Sequence, residues 1–182
     1  MAKRSVSNLL VIMALWLSAC SSPATSGNPS RQAGNDVVVT GQATGAPDGC
    51  DVQEVAQRLL EFADAFNRDD PQFVPMFFSD RAPFAWYSAP DGDPTAGTQG
   101  TDVYSTKELP AYFERRHAQH EQLFFKEIQV NGWEAQRGLV HFEFTVNRQA
   151  DDLHDGAAQD VMGKGALHCQ TQTFVVISIG DE

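Results

Sequence analysis

The chain has 182 residues, with 42% hydrophobic, 10% aromatic and 20% charged side chains, which excludes a disordered or low-complexity polymer and sets the scale of one domain plus a tail. Its 13 basic and 24 acidic residues give a net charge of −11, a field that repels phosphate backbones and anionic lipid, so no nucleic-acid partner is expected. Three cysteines are too few for a disulfide scaffold.

Lys3 and Arg4 form a positive n-region, Leu9 to Leu17 a short apolar core, and small residues follow up to Cys20. Such a run is too short to span a bilayer and reads as a secretory leader over residues 1–19. Leu17-Ser18-Ala19-Cys20 resembles the bacterial lipobox. The resemblance implies cleavage before Cys20, diacylation of its thiol and acylation of its new amine by a chain such as palmitate. Each buried methylene contributes about 0.8 kcal/mol, enough for the acyl chains to hold an acidic domain on a membrane. The expected location is extracytoplasmic, lipid-anchored to a bacterial cell membrane.

Residues 20–49 are rich in Ser, Gly, Thr, Ala and Pro, with no period beyond Val37-Val38-Val39. That composition predicts a disordered tether. All twelve phenylalanines follow residue 50, so the folded domain is expected over 50–182.

Asp51 and Glu54 are spaced as a capping box. Val52, Val55, Ala56, Leu59, Phe62, Ala63 and Phe66 then recur at helical steps. Asp70-Pro71 opens a short second helix, which Pro75 interrupts. Pro83 to Ala89 is strand-like, and Pro90 to Tyr104 is a loop. A third helix is expected from Ser105 or Thr106, with Ser105 and Glu108 as its box and Leu109, Tyr112, Phe113, Arg116, His117 and His120 along one stripe. Glu121 to Val130 and Leu139 to Arg148 alternate as strands, joined by a turn at either Asn131-Gly132 or Arg137-Gly138. Asp151 to Gln159 reads as a solvated hairpin tip. One long strand region is expected from Asp160 to Ile179, with Gly163 and Gly165 marking a bend. Segregated helices and consecutive antiparallel strands predict an α+β fold.

Phe62-Ala63-Asp64-Ala65-Phe66-Asn67-Arg68-Asp69-Asp70, followed by Met76-Phe77-Phe78-Ser79-Asp80, resembles the nuclear transport factor 2-like superfamily, which includes ketosteroid isomerases and polyketide cyclases. The resemblance implies three helices packed against a curved antiparallel sheet, a cone with a pocket at its wide end. It also implies that the isomerase tyrosine falls on Phe62 and its aspartate base on Trp86. A phenyl ring donates no hydrogen bond to an enolate, and an indole takes no proton from carbon. No catalytic residues are therefore expected. The remaining expectation is an aromatic ligand pocket lined by Phe62, Phe66, Trp86, Tyr87 and Phe113.

With Cys20 acylated, Cys50 and Cys169 remain, as one disulfide, as two unrelated buried thiols or with one a reactive thiol; an oxidising compartment and an even count favour the disulfide. His117 and His120 lie on one helix face, with Glu121 and His168 available, but match no zinc spacing. No metal or cofactor is expected. The reading is a lipid-anchored binding or interaction module for a small apolar ligand or an envelope protein. Its rivals are an isomerase or cyclase using other acids, and a purely structural envelope partner.

Overall fold

Helix α1 (Val52–Asn67) forms because both halves of its capping box close: the Asp51 carboxylate accepts from the Glu54 N–H and the Glu54 carboxylate from the Asp51 N–H. Such a cap contributes about 1 kcal/mol. Its apolar stripe buries Val55, Ala56, Leu59, Phe62, Ala63, Ala65 and Phe66. The structure, a computed structural model, describes residues 36–78, 85–88 and 105–180. The leader, Cys20, Asp80 and the loop at 90–104 lie outside the described residues.

A five-residue helix α2 (Phe73–Phe77) follows, with Pro75 inside it, and its Phe73 and Phe77 are buried against α1. Strand β2 (Ala85–Ser88) turns Trp86 and Ser88 inward and leaves Ala85 and Tyr87 on the opposite face. Helix α3 spans Leu109–Ala118 and starts three to four residues later than its spacing predicts. The Glu108 carboxylate accepts from the N–H and hydroxyl of Ser105, but in the turn that precedes the helix. Pro110 then occupies the first helical turn, where its missing N–H costs nothing.

The sheet is mixed, with strand order β1-β3-β4-β5-β6-β2. Strands β3 (Gln122–Glu134), β4 (Leu139–Gln149), β5 (Gln159–His168) and β6 (Thr173–Ile179) are antiparallel in sequence order. The two edges are parallel: β2 pairs β6, and β1 (Val38–Gly41) pairs β3. Three helices on a curved antiparallel core of strands make the expected α+β architecture.

Several details resolve or correct the sequence reading. The tether expected over 20–49 ends earlier, because Val38 to Gly41 pair in register with Glu127 to Val130, and Val37, Val39, Ala43 and Ala46 pack on the core. Gly41 is required there: its φ is +105°, and a Cβ would stand 2.0 Å from the Val130 carbonyl oxygen. The β3–β4 turn uses Arg137-Gly138, while Gly132 sits at a register shift inside β3. Gly163 and Gly165 pair in unbroken register with β4. Both lie inside β5, and a Cβ there would meet the Phe144 and Phe142 rings, so the missing side chains are slots for those rings. The region 160–179 is instead divided by a turn at 169–172.

At that turn Cys169 is bonded to Cys50, with Cα atoms 5.7 Å apart and a sequence separation of 119. The disulfide fastens the entry of α1 to the β5–β6 turn. Gln172 reinforces it, its amide donating to the carbonyls of Gly49 (2.6 Å) and Cys169 (2.9 Å).

Candidate functional site

The residues expected to line a cone pocket are placed by the inward faces of α1, α3 and β2. Phe62, Phe66, Trp86 and Phe113 are each 1–2% exposed. Phe62 is the hub: its ring centroid lies 5.6–6.4 Å from those of Phe66, Phe73, Phe77, Phe78, Trp86, Phe113 and Phe174. Edge-to-face and tilted pairs of this kind add about 0.5–1.5 kcal/mol each to area burial. The four predicted rings are packed against one another and their neighbours. Tyr87 does not join them, because strand alternation sends it to the outer face of the sheet.

Beside this core the start of β3 carries charge. Glu121 and Arg148 are 3% and 4% exposed, with the Arg148 Nε donating to Glu121 Oε1 at 2.6 Å. Arg116 donates to the other Glu121 oxygen and, through both terminal nitrogens, to Asp152 at 2.8 Å. Burial alone lowers the Arg116 pKa, but its bonds to Asp152 and Glu121 override burial and raise it. Asp152 in turn is held below the usual carboxylate range by Arg116. Burial first, and the nearby Glu121 carboxylate second, push the Tyr112 phenol above its ordinary range. The segment at 151–159 is therefore not a freely solvated tip. Arg116–Asp152, His120–Asp151 (2.7 Å) and the Asp151 N–H to Gln119 carbonyl bond (2.8 Å) dock it on the end of α3.

Two of the cavities among the described residues bear on these side chains. The larger, about 540 Å³, is a groove between the α1–α2 turn, α2 and α3. Phe73 and Phe113 form its floor side, and Pro71, Pro75, Pro110 and Ala118 its walls. Asp69, Glu114 and His117 supply its polar groups. Asp69 sits in the left-handed region at φ 53°, a conformation that aspartate tolerates, just past the end of α1. From there its carboxylate reaches His117 Nδ1 at 2.5 Å. The imidazole is 11% exposed and lies on Phe66, 4.7 Å between centroids, with Phe73 at 6.0 Å. Its Nε2 is buried and has no hydrogen-bond partner among the described residues. His117 and His120 thus diverge, one toward Asp69 and the other toward Asp151, rather than converging as ligands of one ion.

The second cavity, about 380 Å³, lies on the outer face of the sheet. Register aligns Gln129, Glu143, Lys164, Ser178 and Tyr87 in one row across five strands. All but Gln129 line that cavity, with Asn131 and His141, whose Nε2 is 3.0 Å from Glu134. Of the five predicted pocket residues, Phe113 lines the helical groove and Tyr87 this polar one.

The sequence offered a signal for His117 as a helix histidine, but none for Asp69 as its partner. That pairing needs the α1–α2 turn to pack on α3. Glu121 and Arg148 read as ordinary strand-end charges until β3 and β4 are paired.

No family model matches the chain, and no curated protein matches it. Solved structures do. The Fremyella diplosiphon OCP1 matches with a TM-score of 0.50 and 13% identity over 84% of this chain and 39% of that one. The Anabaena (Nostoc) orange carotenoid protein binding canthaxanthin gives 0.50 and 14% over 80% of this chain and 40% of that one. This chain spans about two fifths of the length of both. The yeast deubiquitinase Ubp3 and Bre5 cofactor complex gives 0.54 and 11% over 70% of this chain and 94% of that one. Structures titled as NTF2-like and cystatin-like folds also match, with TM-scores of 0.43–0.47. At these identities the likeness is one of fold: helices on a curved sheet, a scaffold that this chain shares with proteins of unrelated roles.

Proposed function

We propose that this chain is a lipid-anchored extracytoplasmic binding domain, and that its ligand is a small apolar molecule seated in the groove between α2 and α3. The observation that carries the ligand reading is the groove itself, about 540 Å³ walled by two phenylalanines and three prolines. Prolines and ring faces already held by the core lose little entropy on binding, so the wall is pre-organised. A ligand burying roughly 150 Å² of apolar surface there gains about 4 kcal/mol before association costs. The Anabaena orange carotenoid protein, of related fold, is titled as binding canthaxanthin, which supports an apolar ligand class. The leader and lipobox-like residues at 17–20 support the anchored location. Phe62 and Trp86, at the places of an isomerase's phenol and base, weigh against the isomerase alternative.

The neutral dye N-phenyl-1-naphthylamine tests the groove. Its fluorescence is expected to rise on binding, and Ala118→Trp, on the exposed rim, is expected to weaken binding at least tenfold by filling the space. Equal binding by the Ala118→Trp protein overturns the groove as the site. Intact-mass analysis of protein purified from membranes tests the anchor: a chain beginning at Cys20 with added acyl mass is expected, and a free Cys20 thiol overturns it.

A further inference from the structure

We propose that the α2–α3 groove takes a cationic amphiphile, a molecule with an apolar body and an ammonium group that lies against Asp69 and Glu114. The inference rests on the groove being a ligand site and names the class of ligand it prefers.

Pro71, Phe73, Pro75, Pro110, Phe113 and Ala118 give the groove its apolar lining. On α3 the lining residues are Pro110, Phe113, Glu114, His117 and Ala118, which lie three, four, seven and eight positions along from Pro110. That spacing is one helical face, so the Glu114 side chain leaves α3 on the same stripe as Phe113 and His117. Glu114 is exposed and has no ion-pair partner among the described residues. Asp69 comes from the α1–α2 turn and reaches His117, with its side chain three-quarters exposed. The turn and α3 thus each contribute one carboxylate to an apolar trough.

No lysine or arginine among the described residues lines it. The arginines next to these acids in sequence are engaged elsewhere. Arg68 pairs with Asp64, Arg115 donates to the Ala111 carbonyl, and Arg116 is held by Glu121 and Asp152. The groove's charge is negative in either state of His117: two charges with the imidazole neutral, one with it protonated. The whole chain carries −11, so its long-range field has the same sign. Beside apolar walls an ammonium is drawn to a carboxylate more strongly than in bulk water, and an anion of the same shape is repelled. The ring and proline surfaces then bury the apolar body.

Three probes of one shape decide it on the full chain: 4-methylbenzylammonium, 4-methylbenzyl alcohol and 4-methylbenzoate. Affinities are read from NMR shifts of Phe73, Phe113 and Ala118. The ammonium is expected to bind about fivefold tighter than the alcohol at low ionic strength, the scale of one partly exposed ion pair, with the benzoate weakest. That lead is expected to shrink in about 0.5 M sodium chloride. Glu114→Gln is expected to reduce it to about twofold and Glu114→Lys to place the benzoate ahead of the ammonium, with melting temperatures reporting that both exposed substitutions leave the fold intact. Equal binding of ammonium and alcohol at the groove overturns the charge proposal and leaves the groove as a site. A lead that survives both salt and Glu114→Lys overturns it as well. If none of the three probes shifts the groove residues, the underlying ligand reading fails.

Discussion

Replacing Cys50 and Cys169 by serine, or reducing their disulfide, is expected to lower the melting temperature by roughly 10 °C, corresponding to about 3 kcal/mol. The sequence separation of 119 residues sets the scale. Chain-entropy arguments for a loop of that length give about 5 kcal/mol, and measured effects usually fall to about 2–4. The observed value is expected below the entropic limit for a specific reason. Gln172 still ties the Gly49 and Cys169 carbonyls together when the sulfurs are apart, so the native junction keeps part of its order. Paired thermal melts of oxidised and reduced protein check this. An unchanged melting temperature would mean that the Gln172 bonds alone hold the α1 entry.

The second large effect is expected at Glu121. Glu121→Leu removes the carboxylate that receives both Arg148 and Arg116, and leaves the Arg148 guanidinium buried without that partner. Breaking one side of a buried pair costs about 3–5 kcal/mol, because the remaining buried charge loses its strongest compensation. Removing both charges should restore much of the loss, because an apolar pair of similar volume needs no compensation. The expected pattern is thus non-additive: Glu121→Leu strongly destabilised, Glu121→Leu/Arg148→Met much closer to the parent. Denaturant unfolding of the two singles and the double closes the cycle. A Glu121→Leu cost below about 1 kcal/mol would show that water or relaxation supplies the missing partner.

Elements whose determinants lie within a few residues were legible in the sequence. The α1 cap and stripe are local, and so is the alternation of β4, whose Val140, Phe142, Phe144 and Val146 are all buried. Strand β1 was not, because four residues in a Gly- and Thr-rich stretch carry no pattern, and their partner β3 lies far along the chain. The start of α3 was misplaced for a local reason: Ser105 and Glu108 form their bonds in a turn, and a spacing rule cannot tell a turn from a first helical turn. The turn between β3 and β4 was ambiguous because Gly132 and Gly138 both have positive φ, one at a register shift and one in the turn itself. The five aromatic candidates were sound as buried or half-buried rings, yet aromatic spacing does not distinguish a cavity wall from packed core. The groove was invisible for the same reason as the Asp69–His117 pair: it is made where two helices and a turn meet.

The position of the disulfide also governs how the domain bears force. A pull on the N-terminal segment first loads the short parallel pairing of β1 on β3. Once that yields, tension reaches Cys50 and crosses directly to Cys169. The residues between them carry none of it, and at about 3.4 Å each they withhold roughly 400 Å of extension. Helices α1 to α3, strands β2 to β5 and the groove all lie inside that bypass. Tension applied from the N-terminal side can therefore release the edge strand while the disulfide keeps the α2–α3 groove out of the loaded path.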